Sequence, residues 1–104
     1  MRRGEVWWAH LPQPIGRRPV LLLSRDSMPA GRAEITVAYL TSKVRHRDVE
    51  VLLLPQDGVP YRCVVNLDSI NTIPKGTLRA LVCSLSPARM AEVKDAIMKA
   101  LALN

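Results

Sequence analysis

Apolar residues along this chain come in short runs separated by turn-forming residues, until one stretch of helical periodicity closes it. The first run, Val6-Trp7-Trp8-Ala9-His10-Leu11, has the aromatic and β-branched content of a strand, and Pro12-Gln13-Pro14-Ile15-Gly16 stops it. Pro19 to Ser24 is apolar without interruption through Leu23, the pattern of a strand buried on both faces, with Pro19 tolerated at its first position. A polar loop over 25–33 precedes a third strand, Glu34 to Leu40, which ends in Thr41-Ser42 and runs into the basic segment Lys43-Val44-Arg45-His46-Arg47. Val49 to Leu54 predicts a fourth strand, Tyr61 to Leu67 a fifth, Ile70 to Ile73 a short sixth, and Leu78 to Leu85 contains one more. Ser86 then suits an N-cap and Pro87 the first helical position, with Leu85 placed to pack on Met90. Met90, Val93, Ile97 and Leu101 recur at three- and four-residue spacing and make one apolar stripe. The pattern predicts a mostly β, α+β fold: a small SH3-like barrel of short antiparallel strands, with a C-terminal amphipathic helix covering one opening or flank. At 104 residues, with no repeat or linker, residues 1–104 form a single domain.

Composition narrows the partners. A hydrophobic content of 48% excludes a disordered chain, and a net charge of +6 points to a polyanion, nucleic acid foremost. The excess is local, because residues 1–47 hold nine basic and three acidic side chains while residues 48–104 hold six of each. Eleven of the fifteen cations are Arg, whose planar fork matches phosphate oxygens in pairs, which favours phosphate recognition over simple solubility. Cys63 and Cys83 lack any CxxC spacing and read as reduced, buried thiols. Runs such as Val20 to Leu23 are far too short to span a bilayer, and no signal peptide follows Arg2-Arg3; the expectation is a soluble, cytoplasmic protein without membrane contact.

Candidate chemistry is sparse. The acids are scattered and His10 and His46 lie on separate segments, so no metal site is drawn, and no Gly-rich phosphate loop or nucleophile elbow is present. Two features remain. Gly16-Arg17-Arg18-Pro19 sets two cations at the mouth of a strand, between a Gly turn and a φ-restricted Pro, although such a pair also reads as a solvated loop. Thr41-Ser42 places two hydroxyls at a strand end beside Lys43, Arg45, His46 and Arg47, where hydroxyls also cap turns. Trp7 and Trp8 are read as core residues, not base-stacking ones.

Arg3-Gly4-Glu5-Val6-Trp7, Arg18-Pro19-Val20-Leu21, Ala38-Tyr39-Leu40-Thr41-Ser42, Val64 to Ile73 and the tail from Leu85 to Leu103 resemble, in order and spacing, successive blocks of the MazF/PemK toxin family. The resemblance implies the CcdB/MazF-type barrel and a homodimeric toxin of a type II toxin-antitoxin system. It also implies a metal-independent endoribonuclease without cofactors that cuts single-stranded RNA to a 2′,3′-cyclic phosphate and a 5′-hydroxyl, and a cognate MazE-like antitoxin that inhibits it. Carried over by motif, the catalytic positions fall on Arg18 and Thr41, with Ser42 adjacent. Arg17, Lys43, Arg45, His46 and Arg47 are the expected RNA-binding residues. Here Gly16 and Arg18 are separated by Arg17 alone, a shorter first loop than the family commonly carries. Two other readings fit a basic barrel: a CcdB-like gyrase poison, whose C-terminal aromatic has no counterpart in Ala100-Leu101-Ala102-Leu103-Asn104, and a non-cleaving RNA-binding barrel.

Overall fold

In the computed structural model, which describes residues 1–103, six antiparallel strands form one curled sheet with a single long helix at the C-terminal end. The strands are β1 (Glu5–His10), β2 (Arg17–Leu22), β3 (Glu34–Thr41), β4 (Glu50–Leu53), β5 (Cys63–Pro74) and β6 (Leu78–Ser84), and the helix is α1 (Pro87–Ala100). Their order across the sheet is β4-β5-β3-β2-β1-β6. The expected barrel-like α+β architecture is therefore present.

Side-chain alternation divides the core in two. One face carries Val6, Leu21, Ala38, Leu40, Leu53 and Val65, and α1 seals it with Val93 and Ala96. The other face carries Ala9, Val20, Leu22, Ile35, Val37, Ile73 and Leu78, with Trp7 and Tyr39 packed against them. Val20, Leu21 and Leu22 are fully buried and feed both clusters in turn, as the uninterrupted apolar run predicts. The sheet curls far enough for the chain leaving β4 to meet β6. A Cβ on Gly58, whose φ is +105°, would lie 2.6 Å from the Cys83 Cβ, so only glycine fits where the two edges approach.

Three expectations are corrected. The fifth and sixth strands are one strand, β5, because Asp68-Ser69 forms a bulge instead of a turn. Its register against β3 shifts between Ala38, opposite Ile70, and Tyr39, opposite Asn66. Asn66 holds the bulge: its Oδ1 accepts from the Asp68 N–H at 3.0 Å and its Nδ2 donates to the Ser69 Oγ at 3.1 Å. At the C-terminal end, Leu101 stands 55% exposed just past α1, and Ala96 takes its expected place in the core. Trp7 packs against the second core cluster as expected, whereas Trp8 is only partly buried and carries the Arg17 guanidinium on its ring. The predicted cap is present, since the Ser86 side chain accepts from the Arg89 N–H and Pro87 begins the helix. Among the described residues no helix is long and apolar enough to cross a membrane.

Candidate active site

Arg18 and Thr41 meet through the pairing of β2 with β3. The ladder runs Leu22 with Val37, Leu21 with Ala38 and Val20 with Tyr39, and then stops one residue short of Pro19, which has no N–H to extend it. Continuing that register by two residues sets Arg18 across from Thr41, on the same face as Val20, Tyr39 and the second core cluster. The two residues thus stand at strand ends just beyond the last pair of the β2–β3 ladder.

Each is held from behind. The Arg18 guanidinium lies over the Tyr39 ring, 5.8 Å from its centroid, within range of the attraction between a cation and an aromatic face. The Thr41 Oγ1 accepts the Lys43 backbone N–H at 3.2 Å, so the hydroxyl does cap the turn and its own proton remains available for donation. Ser42 lies one residue beyond β3 and is exposed.

Arg17 faces the other way. It pairs with His10 across the β1–β2 ladder, on the side opposite Arg18, and its guanidinium stacks 4.1 Å from the centroid of the Trp8 ring. Two adjacent arginines on a strand cannot serve one surface, and here only Arg18 shares the face of Thr41.

The basic segment is a shaped loop, organised by a residue that the sequence reading did not single out. Glu50, at the start of β4, has a side chain only 2% exposed. Its Oε1 accepts from the backbone N–H groups of Arg45 at 3.0 Å and Arg47 at 3.5 Å, while His46 between them takes a left-handed φ of 56°. The Arg47 guanidinium lies 3.7 Å from Glu50 and 3.9 Å from Asp68 on the β5 bulge, so its charge is partly engaged within the fold. Lys43 and Arg45 make no ion pair among the described residues and are exposed. The readable signals for the missed residues were modest: Tyr39 lies two positions before Thr41 and so shares its face, and Glu50 is the acid that alternates with Leu52 beside a cationic run.

The cysteines take no part. Cys63 is buried and its thiol is pushed up to about 11 by that burial, with Cys83 nearby adding to the rise, so it carries negligible thiolate at neutral pH. Among the described residues no three His, Cys, Asp or Glu side chains converge.

The sequence profile described as "PemK-like, MazF-like toxin of type II toxin-antitoxin system" matches residues 2–101. The chain belongs to the PemK/MazF toxin family. Among its relatives, the Mycobacterium tuberculosis protein named "Probable endoribonuclease MazF2" is 42% identical over 93 residues, covering 88% of this chain and 89% of the relative. A second protein of that organism, "Probable endoribonuclease MazF5", is 38% identical over 96 residues, covering 91% and 87%. Solved structures agree. An endoribonuclease in complex with its cognate antitoxin, from a mycobacterial species, superposes with a TM-score of 0.88 at 27% identity, covering 100% of this chain and 97% of that one. The Mycobacterium tuberculosis toxin MazF-mt6 gives 0.87 at 29% identity, covering 96% and 98%. With these structures, then, this chain shares its overall fold over nearly its whole length.

Proposed function

We propose that this chain is the toxin of a type II toxin-antitoxin pair, an endoribonuclease that cleaves single-stranded RNA and is silenced by a MazE-like antitoxin. The observation that carries the reading is the placement of Arg18 and Thr41 on one face, at the strand ends just beyond the last β2–β3 pair, within a family whose relatives are named endoribonucleases. In the reaction the ribose 2′-hydroxyl gives up its proton to water as its oxygen attacks the adjacent phosphorus, the new O2′–P bond closes the 2′,3′-cyclic phosphate, and the P–O5′ bond breaks, its oxygen taking a proton from water to leave a 5′-hydroxyl. Negative charge builds on the non-bridging oxygens as the phosphorus becomes five-coordinate. The Arg18 guanidinium, steadied by Tyr39, stabilises that charge, and the Thr41 hydroxyl donates to the same oxygens. Ser42 is a second hydroxyl within reach of the scissile segment. Lys43 and Arg45 draw the flanking phosphates to the site, while Arg47 and His46 shape the loop that presents them.

Two copies form the working unit, and an acidic antitoxin segment competes with RNA for the cationic face. The protein acts in the cytoplasm, where messenger RNA is found.

The test is cleavage of a long single-stranded RNA by the purified protein in excess EDTA, with sequencing of the new 5′-hydroxyl ends. Cuts at one recurrent short motif, abolished by the cognate antitoxin, are expected. RNA that stays intact while still binding in a salt-sensitive manner contradicts the reading and leaves a non-cleaving RNA-binding barrel.

A further inference from the structure

A second cationic site lies at the opposite pole of the same sheet face. The N-terminal segment, the loop after β2 and the turn after β5 enclose a cleft of about 360 Å³. Arg2, Arg3, Arg25 and Lys75 ring it, against one carboxylate, Asp26. Asp26 is already committed, since its Oδ1 accepts the Arg3 backbone N–H at 2.7 Å and its Oδ2 lies 3.8 Å from the Arg2 guanidinium. The Arg3 Nε donates to the Leu23 carbonyl at 2.9 Å, which fixes that guanidinium and leaves its outer N–H groups unspent. Arg25 and Lys75 have no ion-pair partner among the described residues. Met28 and Ile35 give the same cleft an apolar wall.

We propose that this cleft is an RNA exosite, binding backbone phosphates and a base of the substrate strand beyond the cleavage site. The inference rests on the nuclease reading for the identity of the strand. Ile35, Val37, Tyr39 and Thr41 alternate onto one face of β3, so the cleft and the Arg18–Thr41 site share that face at either end of the strand. Six residues of strand separate Ile35 from Thr41, about 20 Å at roughly 3.3 Å per residue, a span that a single strand covers within the site sizes small β-barrels bind. Cations set against an apolar wall suit a nucleotide, which carries a phosphate and a flat base together. An acidic peptide offers carboxylates without the ring, and so uses only half of the cleft.

The experiment measures binding of uniformly 2′-O-methylated RNA, which cannot be cleaved, in two lengths of about 3 nucleotides, too short to bridge the two sites, and about 15 nucleotides. Fluorescence anisotropy over a salt series compares wild type, the double variant Arg25→Gln with Lys75→Gln, and a control with Lys94→Gln and Lys99→Gln on α1. The exosite predicts that the first double variant binds the longer RNA on the order of tenfold more weakly and loses about 1.4 from its salt slope, at about 0.7 per phosphate, while the control matches wild type. The deficit vanishes on the short RNA. An unchanged slope and affinity for the longer RNA overturns the proposal, as does a loss seen only with a polyglutamate peptide. Failure of the nuclease reading shows separately, as intact unmodified RNA, whatever the anisotropy finds.

Discussion

Asp57 is gripped from three directions: Arg89 Nε donates to Oδ1 at 3.0 Å, Arg89 Nη2 to Oδ2 at 3.2 Å, and the Leu54 backbone N–H to Oδ2 at 2.8 Å. The Arg89 hydrogen bonds come first among the forces that hold its carboxyl below the usual carboxylate range, followed by the Leu54 N–H. Arg89 in turn reaches Glu92, so one guanidinium ties the 3-10 turn at Pro55–Asp57 to the first turn of α1. A carboxylate whose folded-state pKa lies below its unfolded value contributes stability that is complete above the unfolded value and fades as pH falls through the folded one. Asp57→Asn is therefore expected to cost roughly 1–3 kcal/mol at pH 7, about 4–8 °C in Tm for each kcal/mol in a domain of this size, with the gap narrowing below about pH 4. Thermal unfolding of both proteins at pH 7 and pH 3 measures it. An equal gap at the two pH values contradicts the ion-pair account.

At the scale of elements, the loop between β3 and β4 is the part whose form depends most on one residue. Glu50 caps two of its backbone N–H groups and meets Arg47, and Glu50→Ala leaves those donors to water. Trypsin is expected to cut at Lys43, Arg45 or Arg47 on the order of tenfold faster in that variant, while the core strands stay protected. Unaltered proteolysis contradicts the anchoring role. The elements themselves were legible in proportion to how local their causes are. Ser86, Pro87 and the apolar periodicity announce α1 within a few residues, and the apolar run of β2 announces burial on both faces. The bulge in β5 was misread because Asp68-Ser69 has the composition of a turn, and only the Asn66 side chain and the partner strand β3 make it continuous. Arg17 and Arg18 read as one basic pair, yet the pleat of β2 sends them to opposite faces. Strand order is a property of distant pairings, such as β1 with β6, and no local signal carries it.

Across the whole molecule, the surplus of cations in the first 47 residues resolves into distinct places. Arg18, Lys43 and Arg45 lie toward one end of the sheet, Arg2, Arg3 and Arg25 line the cleft at the other, and Arg17 lies apart on Trp8. The resemblance to the toxin family supplied Arg18 and Thr41 as candidates, and the ladder that ends at Val20 and Tyr39 supplies a physical reason for them to act together. The central claim is that chemistry belongs to the face shared by these two residues and not to basic charge in general. Single-turnover cleavage of one RNA in excess EDTA, with protein well above its Kd, tests this by comparing Arg18→Ala with Arg17→Ala. The same formal charge is lost in both. Arg18→Ala is expected to slow the cleavage step by about 100- to 1000-fold, as for loss of a transition-state donor, and Arg17→Ala by less than about tenfold. Equal losses in the two variants contradict the claim.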